Sequence, residues 1–398
     1  MNVWIINPFD NLPTEGHRPQ RYWLMSRAFA EAGDHVRLWT SDFSHATKKR
    51  RVVSGQQLAV SGEQGFEVEM LPTKAYPTNV CWQRIVSHRA LAKTFVARAR
   101  EVIASGEKPD LVIASTPPLG LCAAAMEVAK SCGAKFGCDI QDAWPETFSR
   151  LLPCGFKWLG AILFTGMRRT AKRIYREADA VTGVCHRYAE LSGRTDFHLA
   201  YLGIEGGEEA GRRETRLDAQ GVRRLVYAGS LGVGYDLSTV LAAVARRAEL
   251  TLDIAGLGPR EAELRTLVAR LGVGERVRFH GYLGEDALKA LMASCDVGVI
   301  PMRDDSWVGL PNKLGDYLAA GLQVVSSLHG ECGELLLRTG YGQVYDWQSV
   351  DSLLAALAAL RPIAVALPAE LRAEQIYSAY VRKVQNLENT PLTAEKGF

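Results

Sequence analysis

The stretch LPNKLGDYLAAGLQVVSS, residues 310–327, decides the fold class, because a helical pattern in it passes directly into a strand. Pro311 suits the first helical turn, where its missing N–H would have no partner in any case. Lys313 and Asp316 lie three positions apart and therefore on one face of the predicted helix. Gly321 closes that helix, and the β-rich run after it predicts a strand. A helix that leads straight into a strand indicates an α/β protein.

The same alternation runs along most of the chain and predicts two parallel sheets with helices on both faces. A length of 398 residues also favours two domains. Right-handed crossovers would make each half a doubly wound, Rossmann-like domain. The predicted strands are NVWIIN, HVRLWT, DLVIAS, AKFGCDI and AVTGV in the first half, and RLVYAGS, LTLDIAG, VRFHGY, VGVIPM, LQVVSS and GQVYD in the second.

The domain boundaries follow from where this alternation stops and restarts. A stretch rich in Gly, Glu and Arg interrupts it and is predicted to be a linker. The last helical pattern precedes no further strand, so it packs either across the domain junction or back onto the first domain. The predicted segments are an N-terminal domain at 1–203, a linker at 204–221, a C-terminal domain at 222–368, a helix at the domain junction at 369–387 and a flexible tail at 388–398.

The composition favours a small-molecule or anionic partner over a nucleic acid. The net charge is only +3 at pH 7, but residues 1–200 carry 26 Lys and Arg against 19 Asp and Glu. A basic half suits an anionic membrane or acceptor, although chance also produces such asymmetry. The 8 cysteines show no metal-binding spacing, and no window resembles a signal peptide or a membrane span. We therefore expect a cytoplasmic protein that needs neither a metal nor another cofactor.

Glycine-rich turns after two predicted strands are candidate phosphate sites. YAGSLGVGYDL, residues 227–237, places Gly229 and Ser230 between a strand and a helix, where bare backbone and the helix N-terminus favour a phosphate. DIAGLGPREAEL repeats the arrangement at Gly256 without the spacing of a dinucleotide-binding fingerprint, which argues against a dehydrogenase. A tight turn also needs glycine without any ligand, so both interpretations stay open.

The helix within residues 310–327 is a second candidate. The free N–H groups of its first turn, which begins at Pro311 and Asn312, can bind a diphosphate. Lys313 adds a positive charge, and Asp316 can accept hydrogen bonds from a ribose diol. The alternative is a surface Lys–Asp ion pair, which would contribute little to stability.

The glycine-rich turns and the helix within residues 310–327 both occur in a segment that resembles a known family. From LDIAGLGPREAEL to GLPNKLGDYLAAGLQVVSS, the second half resembles the nucleotide-sugar half of family-four glycosyltransferases. DIQDAWPE, residues 139–146, more loosely resembles bacterial members that build surface polysaccharide or lipopolysaccharide, such as N-acetylfucosaminyl and other N-acetylamino-sugar transferases. The resemblance implies the GT-B fold, with two Rossmann-like domains facing across a cleft, and sugar transfer with retention of anomeric configuration.

The resemblance also assigns roles to acidic residues near the second candidate. The family has two glutamates eight positions apart, and Asp316 stands where the second of them holds the nucleotide ribose. Val308 occupies the position of the first, so that acid is missing. Asp304, Asp305 and Ser306 are the candidates to replace it.

The two basic residues that bind the diphosphate in the family are absent from their usual positions. The family has an Arg and a Lys just beyond the first strand of this domain, where the sequence here reads GSLGVGYDL. The resemblance therefore implies that Lys313 and Arg303 supply the charge. No Asp-x-Asp occurs in a metal-binding setting, which predicts metal-independent transfer.

In the N-terminal half, two segments offer contacts for the donor or acceptor. The loop NPFDNLPTEGHRPQRYW follows the first strand and carries Gly16 and His17, which would lie at the cleft of a GT-B enzyme. A lone histidine is more often structural. Asp142 and Glu146 follow the strand AKFGCDI, where a carboxylate can orient or deprotonate an acceptor hydroxyl, or cap a helix.

The segment RLLPCGFKWLGAILFTGMRRTAKRIYREAD, residues 150–179, combines apolar and aromatic residues with a basic cluster. This pattern predicts a helix that rests on an anionic membrane surface, or an amphipathic helix with its basic face in water. The basic residues are Arg168, Arg169, Lys172, Arg173 and Arg176.

Together these features predict a retaining glycosyltransferase of the hexosyl or N-acetylhexosaminyl type. Its donor would be a nucleoside-diphosphate sugar, with UDP favoured, and its acceptor a lipid-linked glycan at the inner face of the bacterial cytoplasmic membrane. A sugar-nucleotide epimerase of the same fold and a catalytically silent GT-B binding subunit are the alternatives.

Overall fold

The computed structural model describes residues 1–15, 17–51, 59–61, 65–79, 81–151, 160, 162–205, 213–214, 223–303 and 306–388. The chain divides into two compact units, of which the first comprises Met1–Tyr201 and Ala373–Phe398 and the second Leu202–Arg372. Within the described ranges, no helix is both long and apolar enough to cross a membrane.

Sixteen strands are present in the described residues. They are β1 (Asn2–Ile6), β2 (His35–Ser41), β3 (Ala59–Ser61), β4 (Glu67–Leu71), β5 (Leu111–Thr116), β6 (Lys135–Ile140), β7 (Ala180–Gly183), β8 (His198–Leu199), β9 (Arg213–Glu214), β10 (Arg223–Ala228), β11 (Leu250–Ala255), β12 (Val277–Gly281), β13 (Val297–Ile300), β14 (Gln323–Ser326), β15 (Gly342–Val344) and β16 (Ala364–Val365).

The α-helices alternate with most of these strands. They are α1 (Arg21–Glu31), α2 (Trp82–Ala104), α3 (Leu119–Cys132), α4 (Thr165–Glu177), α5 (His186–Ala189), α6 (Leu237–Arg246), α7 (Glu261–Leu271), α8 (Glu285–Ala293), α9 (Asn312–Ala319), α10 (Glu331–Thr339), α11 (Val350–Ala359) and α12 (Ala373–Glu388). Short 3₁₀ helices occur at Pro13–Glu15, Glu146–Leu151, Glu190–Ser192, Gly274–Arg276 and Ala369–Leu371.

The first unit is built on one eight-stranded sheet in the order β3-β4-β2-β1-β5-β6-β7-β8. All neighbouring strands are parallel except β3, which runs antiparallel to β4. Every residue of β5 is buried, as expected for a central strand covered by helices on both faces. The predicted parallel sheet is therefore confirmed, and β3, β4 and β8 extend it beyond the predicted strands.

The C-terminal helix α12 belongs to the first unit. Tyr377, Tyr380 and Val381 from this helix are buried in the same hydrophobic core as Phe29 of α1. The rings of Phe29 and Tyr380 meet edge to face, with centroids 6.3 Å apart. The sequence left two packing modes open for this helix, and in the structure it packs on the first domain.

A buried ion pair fixes the start of α1 to the carboxyl end of β6. Arg21 donates from Nε and Nη2 to the two carboxylate oxygens of Asp139, at 2.8 Å each, and from Nη1 to the carbonyl of Ala200. The hydroxyl of Tyr22 donates to the same carboxylate at 2.5 Å. This network anchors the segment that leads into Asp142.

The second unit has a six-stranded parallel sheet in the order β12-β11-β10-β13-β14-β15. All six strands predicted for this half are present. Chain order moves from β10 outward to β12 on one side and then from β13 outward to β15 on the other. The switch point therefore lies between β10 and β13, and ligands of open α/β sheets bind outside the carboxyl ends of the strands at such a point.

The segment predicted as a linker, 204–221, contains the short strand β9, which pairs antiparallel with β16 of the second unit. Residues 206–212 and 215–222, like the predicted tail at 389–398, lie outside the described residues. The backbone of Ile204 donates to the carbonyl of Leu371 at 2.9 Å, so both ends of the second unit meet.

Candidate functional site

Two glycines leave bare backbone at the switch point. Gly229 follows β10 with φ of 144°, and Gly256 follows β11 with φ of 142°, a backbone region that favours glycine. A Cβ at Gly256 would lie 1.9 Å from the carbonyl oxygen of Gly229, so a side chain there would force the two loops apart. The amide of Gly229 donates to the carbonyl of Ala255 at 2.9 Å. The glycines thus allow two adjacent strand ends to pack closely.

The loop after β10 is held by the loops on both sides of it. The amide of Leu231 donates to the carbonyl of Leu257 at 3.0 Å, and that of Asp236 donates to Pro301 at 2.6 Å. Tyr235 forms an isolated antiparallel bridge with Met302. These bonds fix the geometry of the loop before any ligand arrives.

Lys313 lies at this edge of the sheet, on the first turn of α9. Its Nζ is 4.2 Å from the ring centre of Tyr227 and 3.7 Å from that of Tyr235. The residue is 8% exposed, and its Nζ has no hydrogen-bond partner among the described residues. Burial lowers the pKa of Lys313 from 10.5 to about 7, and the carboxylate of Asp316 offsets part of that effect.

A buried ammonium group without a hydrogen bond is rare in a native protein and calls for an explanation. The two ring faces give it cation–π contacts, which stabilise a desolvated cation only in part. A Cβ at Gly229 would lie 3.0 Å from Lys313 Nζ, so the ammonium borders the bare backbone of that turn. The arrangement is chemically suited to an anion that meets Lys313 and the glycine turn together.

Helix α9 itself is held firmly in place. Tyr317 accepts a hydrogen bond from the amide of Ala228 at 2.8 Å, and a Cβ at Gly298 would lie 2.3 Å from the Tyr317 ring. The helix therefore touches the sheet closely, with Asn312 exposed and Asp316 partly buried near its first turn. The free N–H groups of this eight-residue helix point out of its N-terminal end, next to Pro311, and such an end favours negative charge.

This geometry argues against a solvent-exposed ion pair between Lys313 and Asp316. A surface ion pair would leave both side chains in water, but Lys313 is buried and makes no hydrogen bond to Asp316. That alternative is wrong, because the tyrosines of the preceding strand and loop cover the lysine. Gly229, Gly256, Pro311 and Lys313 are brought together at one edge of the sheet.

Arg303 lies close to this group but has a different environment. Its guanidinium carbon is 5.2 Å from the ring centre of Trp347, and its amide donates to the carbonyl of Gly234 at 3.2 Å. It borders a cavity of about 260 Å³ at the carboxyl edge of the sheet. The lining residues are Val233, Tyr235, Asp236, Ser238, Arg260, Arg303, Trp347 and Gln348. Tyr235 both lines this cavity and contacts Lys313.

The candidates for the missing acid are only partly described. Asp304 and Asp305 lie outside the described residues. Ser306 is 9% exposed, and its Oγ accepts a hydrogen bond from the amide of Val308 at 3.2 Å. Ser230 is exposed, and its carbonyl accepts a hydrogen bond from the hydroxyl of Tyr227.

In the first unit, Asp142 follows β6 in a turn. Its carboxylate accepts a hydrogen bond from the amide of Ala143 at 2.8 Å, and burial raises its pKa. His17 is partly buried in the loop before α1, and no hydrogen bond between it and Asp142 is present in the described part of the chain. Gly16 lies outside the described residues. Glu146 pairs with Arg168 at 3.3 Å.

Sequence reasoning missed Tyr227 and Tyr235, the residues that hold Lys313. Both flank the glycine turn in YAGSLGVGYDL, and an aromatic residue on each side of such a turn was the available signal. Their approach to a lysine more than 75 positions later depends on the sheet order, which spacing alone does not give.

Two models of known protein families match the chain, one in each half. Residues 20–198 match the family model described as a glycosyl transferase 4-like domain, and residues 222–361 match the model for glycosyl transferases group 1. Each model covers less than half of the chain, and they follow one another in the order of the two units.

Curated relatives match the chain over shorter segments. The amylovoran biosynthesis glycosyltransferase AmsK of Erwinia amylovora is 30% identical over 142 residues, which is 35% of this chain and 33% of that protein. A GDP-mannose-dependent alpha-(1-6)-phosphatidylinositol monomannoside mannosyltransferase of Mycobacterium tuberculosis is 34% identical over 129 residues, which is 31% of this chain and 34% of that protein. The matches thus span about a third of these relatives.

Solved structures match over almost the whole chain, at low identity. Sucrose-phosphate synthase from Thermosynechococcus elongatus has a TM-score of 0.64 and 15% identity over 97% of this chain and 94% of that one. HepE from Anabaena, in complex with UDP and glucose, has a TM-score of 0.58 and 15% identity over 98% and 97%. The chain therefore has the GT-B fold of two Rossmann-like domains, which match the 4-like and group 1 glycosyltransferase models in that order.

Proposed function

We propose that this protein is a glycosyltransferase that moves a sugar from a nucleoside-diphosphate donor to an acceptor hydroxyl, with retention of configuration. The observation that carries the proposal is Lys313, whose ammonium is buried between Tyr227 and Tyr235 without a hydrogen bond and beside the bare backbone of Gly229. The two matched domain models, both of glycosyltransferases, support the reaction class.

In this proposal the diphosphate of the donor lies between the glycine turn and the first turn of α9. Lys313 and the free N–H groups of the helix stabilise the charge that develops as the diphosphate departs. Asp316, one turn further along α9, accepts hydrogen bonds from the ribose. Arg303 lies above Trp347 near this region and adds positive charge to the same edge.

The transfer breaks the bond between the anomeric carbon and the diphosphate oxygen and forms a bond to the acceptor oxygen on the same face of the sugar. In this proposal the acceptor proton passes to the departing diphosphate, either directly or by way of Asp142, and neither a covalent sugar–protein intermediate nor a metal takes part. Asp142 orients the acceptor hydroxyl, or accepts its proton, from the carboxyl end of β6. Burial raises the pKa of Asp142, which brings it closer to the range useful for proton transfer.

We favour UDP in the donor, because HepE was solved with UDP and glucose. The mycobacterial relative is named for GDP-mannose, so GDP is the competing nucleotide. The name of AmsK supports a role in bacterial polysaccharide biosynthesis. The transferred residue would be a hexose or an N-acetylamino sugar.

A lipid-linked acceptor and peripheral binding to the cytoplasmic membrane are also part of the proposal. The mycobacterial relative is named for a phosphatidylinositol mannoside acceptor. Helix α4 exposes Arg169 and Lys172, which form no ion pair within the described chain, whereas Arg173 pairs with Glu127 at 2.7 Å. The aromatic part of the predicted membrane segment, residues 152–159, lies outside the described residues.

Calorimetric titration with UDP, GDP and UMP tests the donor site. We expect a nucleoside diphosphate to bind at least tenfold more tightly than UMP, since the second phosphate adds a charged hydrogen bond worth about 1.5–3 kcal/mol. Nucleotide release from UDP-glucose or UDP-N-acetylglucosamine, measured with and without a lipid-linked glycan, tests the transfer. Equal binding of UDP and UMP, with no release from any donor, would support a catalytically silent subunit instead.

A further inference from the structure

A group of aromatic and cationic side chains lies at the carboxyl edge of the first unit's sheet. Arg84, on the first turns of α2, is its centre. The guanidinium carbon of Arg84 is 5.5 Å from the ring centre of Phe9, 6.0 Å from that of Tyr76 and 5.0 Å from that of Trp144. These three residues come from the loops after β1, β4 and β6. Loops from separate strands therefore converge on one cation.

A second cation joins the group. Lys48 Nζ lies 5.1 Å from the ring centre of Tyr76 and donates to Oδ1 of Asn79 at 2.6 Å. Arg84 Nη1 donates to the carbonyl of the same Asn79 at 2.8 Å. Burial and the neighbouring Arg84 lower the pKa of Lys48. The two cations thus share a ring and an asparagine.

These cations lack a carboxylate partner. In the ranges that the structure describes, neither Lys48 Nζ nor the Arg84 guanidinium lies within 4.0 Å of a carboxylate oxygen. Lys48 also has φ of 59°, a conformation that is unfavourable for a residue other than glycine. Two like charges, one on a backbone with positive φ, are held together without a directly paired carboxylate, since Asp142 acts on Arg84 only from beyond ion-pair distance. Such an arrangement is expected where an external anion binds.

The two histidines of the group, His45 and His88, add no charge of their own. Burial and nearby cations lower the pKa of His45 to about 4 and that of His88 to about 3. Both rings are therefore neutral near pH 7. His45 Nδ1 shares a hydrogen bond with the Tyr76 hydroxyl at 2.5 Å, and Arg84 Nε donates to His88 Nε2 at 3.4 Å. They position the tyrosine and the arginine.

We propose that Lys48 and Arg84 bind a phosphate group of the acceptor, so that the acceptor is a sugar phosphate or sugar diphosphate rather than a neutral glycan. This inference rests on the proposed function, because it concerns the second substrate of that reaction. It also explains the position of Asp142. The Asp142 carboxylate acts electrostatically on Arg84, and its carbonyl accepts from the amide of Trp144 at 2.8 Å. A phosphate on Arg84 therefore brings a hydroxyl of the attached sugar towards Asp142.

Two apolar side chains beside the cations favour a lipid as the source of this phosphate. Trp82 is 69% exposed and Ile85 is 55% exposed, and both flank Arg84 at the start of α2. Exposed large apolar groups next to cations are typical of surfaces that meet lipid. An acyl or prenyl chain attached to the phosphate would cover them.

Calorimetric titration of the full chain with glucose 1-phosphate tests the phosphate site. We expect glucose 1-phosphate to bind saturably. Methyl glucoside should bind at least about tenfold more weakly, because it lacks the phosphate. Arg84→Gln and Lys48→Gln should each weaken glucose 1-phosphate binding by about tenfold or more. Arg84→Lys keeps the charge and should retain most of the affinity. Arg100→Gln, an exposed position near the other end of α2, is the matched control and should bind as wild type.

UDP affinity, measured on the same samples, separates this inference from the proposed function. All variants should bind UDP as wild type does, and circular dichroism should show that the first unit, which carries the substitutions, is folded. If wild type binds UDP but not glucose 1-phosphate, or if the two glutamine variants bind glucose 1-phosphate unchanged, the phosphate site is refuted and the donor site stands. If glucose 1-phosphate binds and UDP does not, the proposed function fails instead.

A vesicle-binding experiment distinguishes a lipid-linked acceptor from a soluble sugar phosphate. Co-sedimentation with phosphatidylcholine vesicles that contain phosphatidylinositol, whose headgroup carries a ring and a phosphate, should depend on Arg84 and fall in the Trp82→Ser, Ile85→Ser variant. That result assigns a lipid-linked acceptor. Binding of glucose 1-phosphate with no Arg84-dependent vesicle binding assigns a soluble sugar phosphate and overturns the role given to Trp82 and Ile85.

Discussion

Replacing Lys313 by methionine is predicted to stabilise the second unit while weakening nucleotide binding. Methionine resembles the lysine stem in length and flexibility but places no charge between the rings of Tyr227 and Tyr235. Residues that hold a charge ready for a ligand commonly destabilise the free protein. The two effects should therefore have opposite signs.

The size of the stability change follows from the burial of the ammonium group. The pKa of Lys313 lies at about 7 instead of 10.5, and one pKa unit corresponds to about 1.4 kcal/mol. Burying the charge near pH 7 therefore costs on the order of 4 kcal/mol. The ring faces return up to about 2 kcal/mol of this. We expect Lys313→Met to raise the free energy of unfolding by about 1–3 kcal/mol.

The pH dependence gives the effect a recognisable signature. Since the pKa of Lys313 is lower in the folded protein than in the unfolded chain, the unfolded chain binds more protons between about pH 7 and 10.5. The penalty is fully present below pH 7 and disappears as the pH rises through that window. The stability difference between wild type and Lys313→Met should shrink by about 2 kcal/mol from pH 7 to pH 9.

Urea denaturation at the two pH values measures the stability, and calorimetry measures UDP affinity, which should fall by roughly 10- to 150-fold. Lys289→Met is the matched control, because Lys289 is an exposed lysine of the same unit and forms a surface ion pair with Glu285. It should leave both quantities unchanged. A Lys313→Met protein that is less stable than wild type at both pH values, with unchanged UDP affinity, would refute the reasoning and make Lys313 a structural residue of the tyrosine cluster.

Asp316→Ala should weaken nucleotide binding by about 1.5–3 kcal/mol in calorimetry without unfolding the protein, and unchanged affinity would remove Asp316 from the site. Transfer activity should survive excess EDTA, whereas its loss with rescue by Mn²⁺ would direct attention to Asp304 and Asp305. Binding to anionic vesicles should fall as salt rises and weaken when Arg169 and Lys172 are changed to Glu, because each basic residue near such a surface contributes about 1 kcal/mol; equal co-sedimentation with neutral and anionic vesicles would contradict it.

The periodicity of the sequence was sufficient for the architecture but not for every strand. The helix-to-strand unit at 310–327 and the strands of the second sheet follow from apolar runs separated by helical patterns. Strand β4 was missed because EVEML is short and two of its five residues are glutamates. Glu69 is nevertheless 3% exposed and accepts a hydrogen bond from Arg98 Nε at 2.9 Å. A buried glutamate that is paired with a largely exposed arginine therefore stands where the hydrophobic pattern expects an apolar side chain.

The candidate sites likewise contain features that the sequence predicts and features that only the fold reveals. Lys313 and the glycine turns could be found from the sequence, because a charge at a helix start and glycines after strands have local signals. The burial of Lys313 by Tyr235 could not, because it depends on which strands are neighbours. The pair of Lys48 and Arg84 was missed for the same reason, since its members come from separate loops and only the fold brings them together.

A crystal structure of the protein with bound UDP would test the assignment of the donor site. We expect a diphosphate oxygen within about 3.2 Å of Lys313 Nζ, with the same phosphate beside Gly229 and the first turn of α9. UDP bound elsewhere, with the ammonium of Lys313 still enclosed by Tyr227 and Tyr235 and without a phosphate contact, would contradict it.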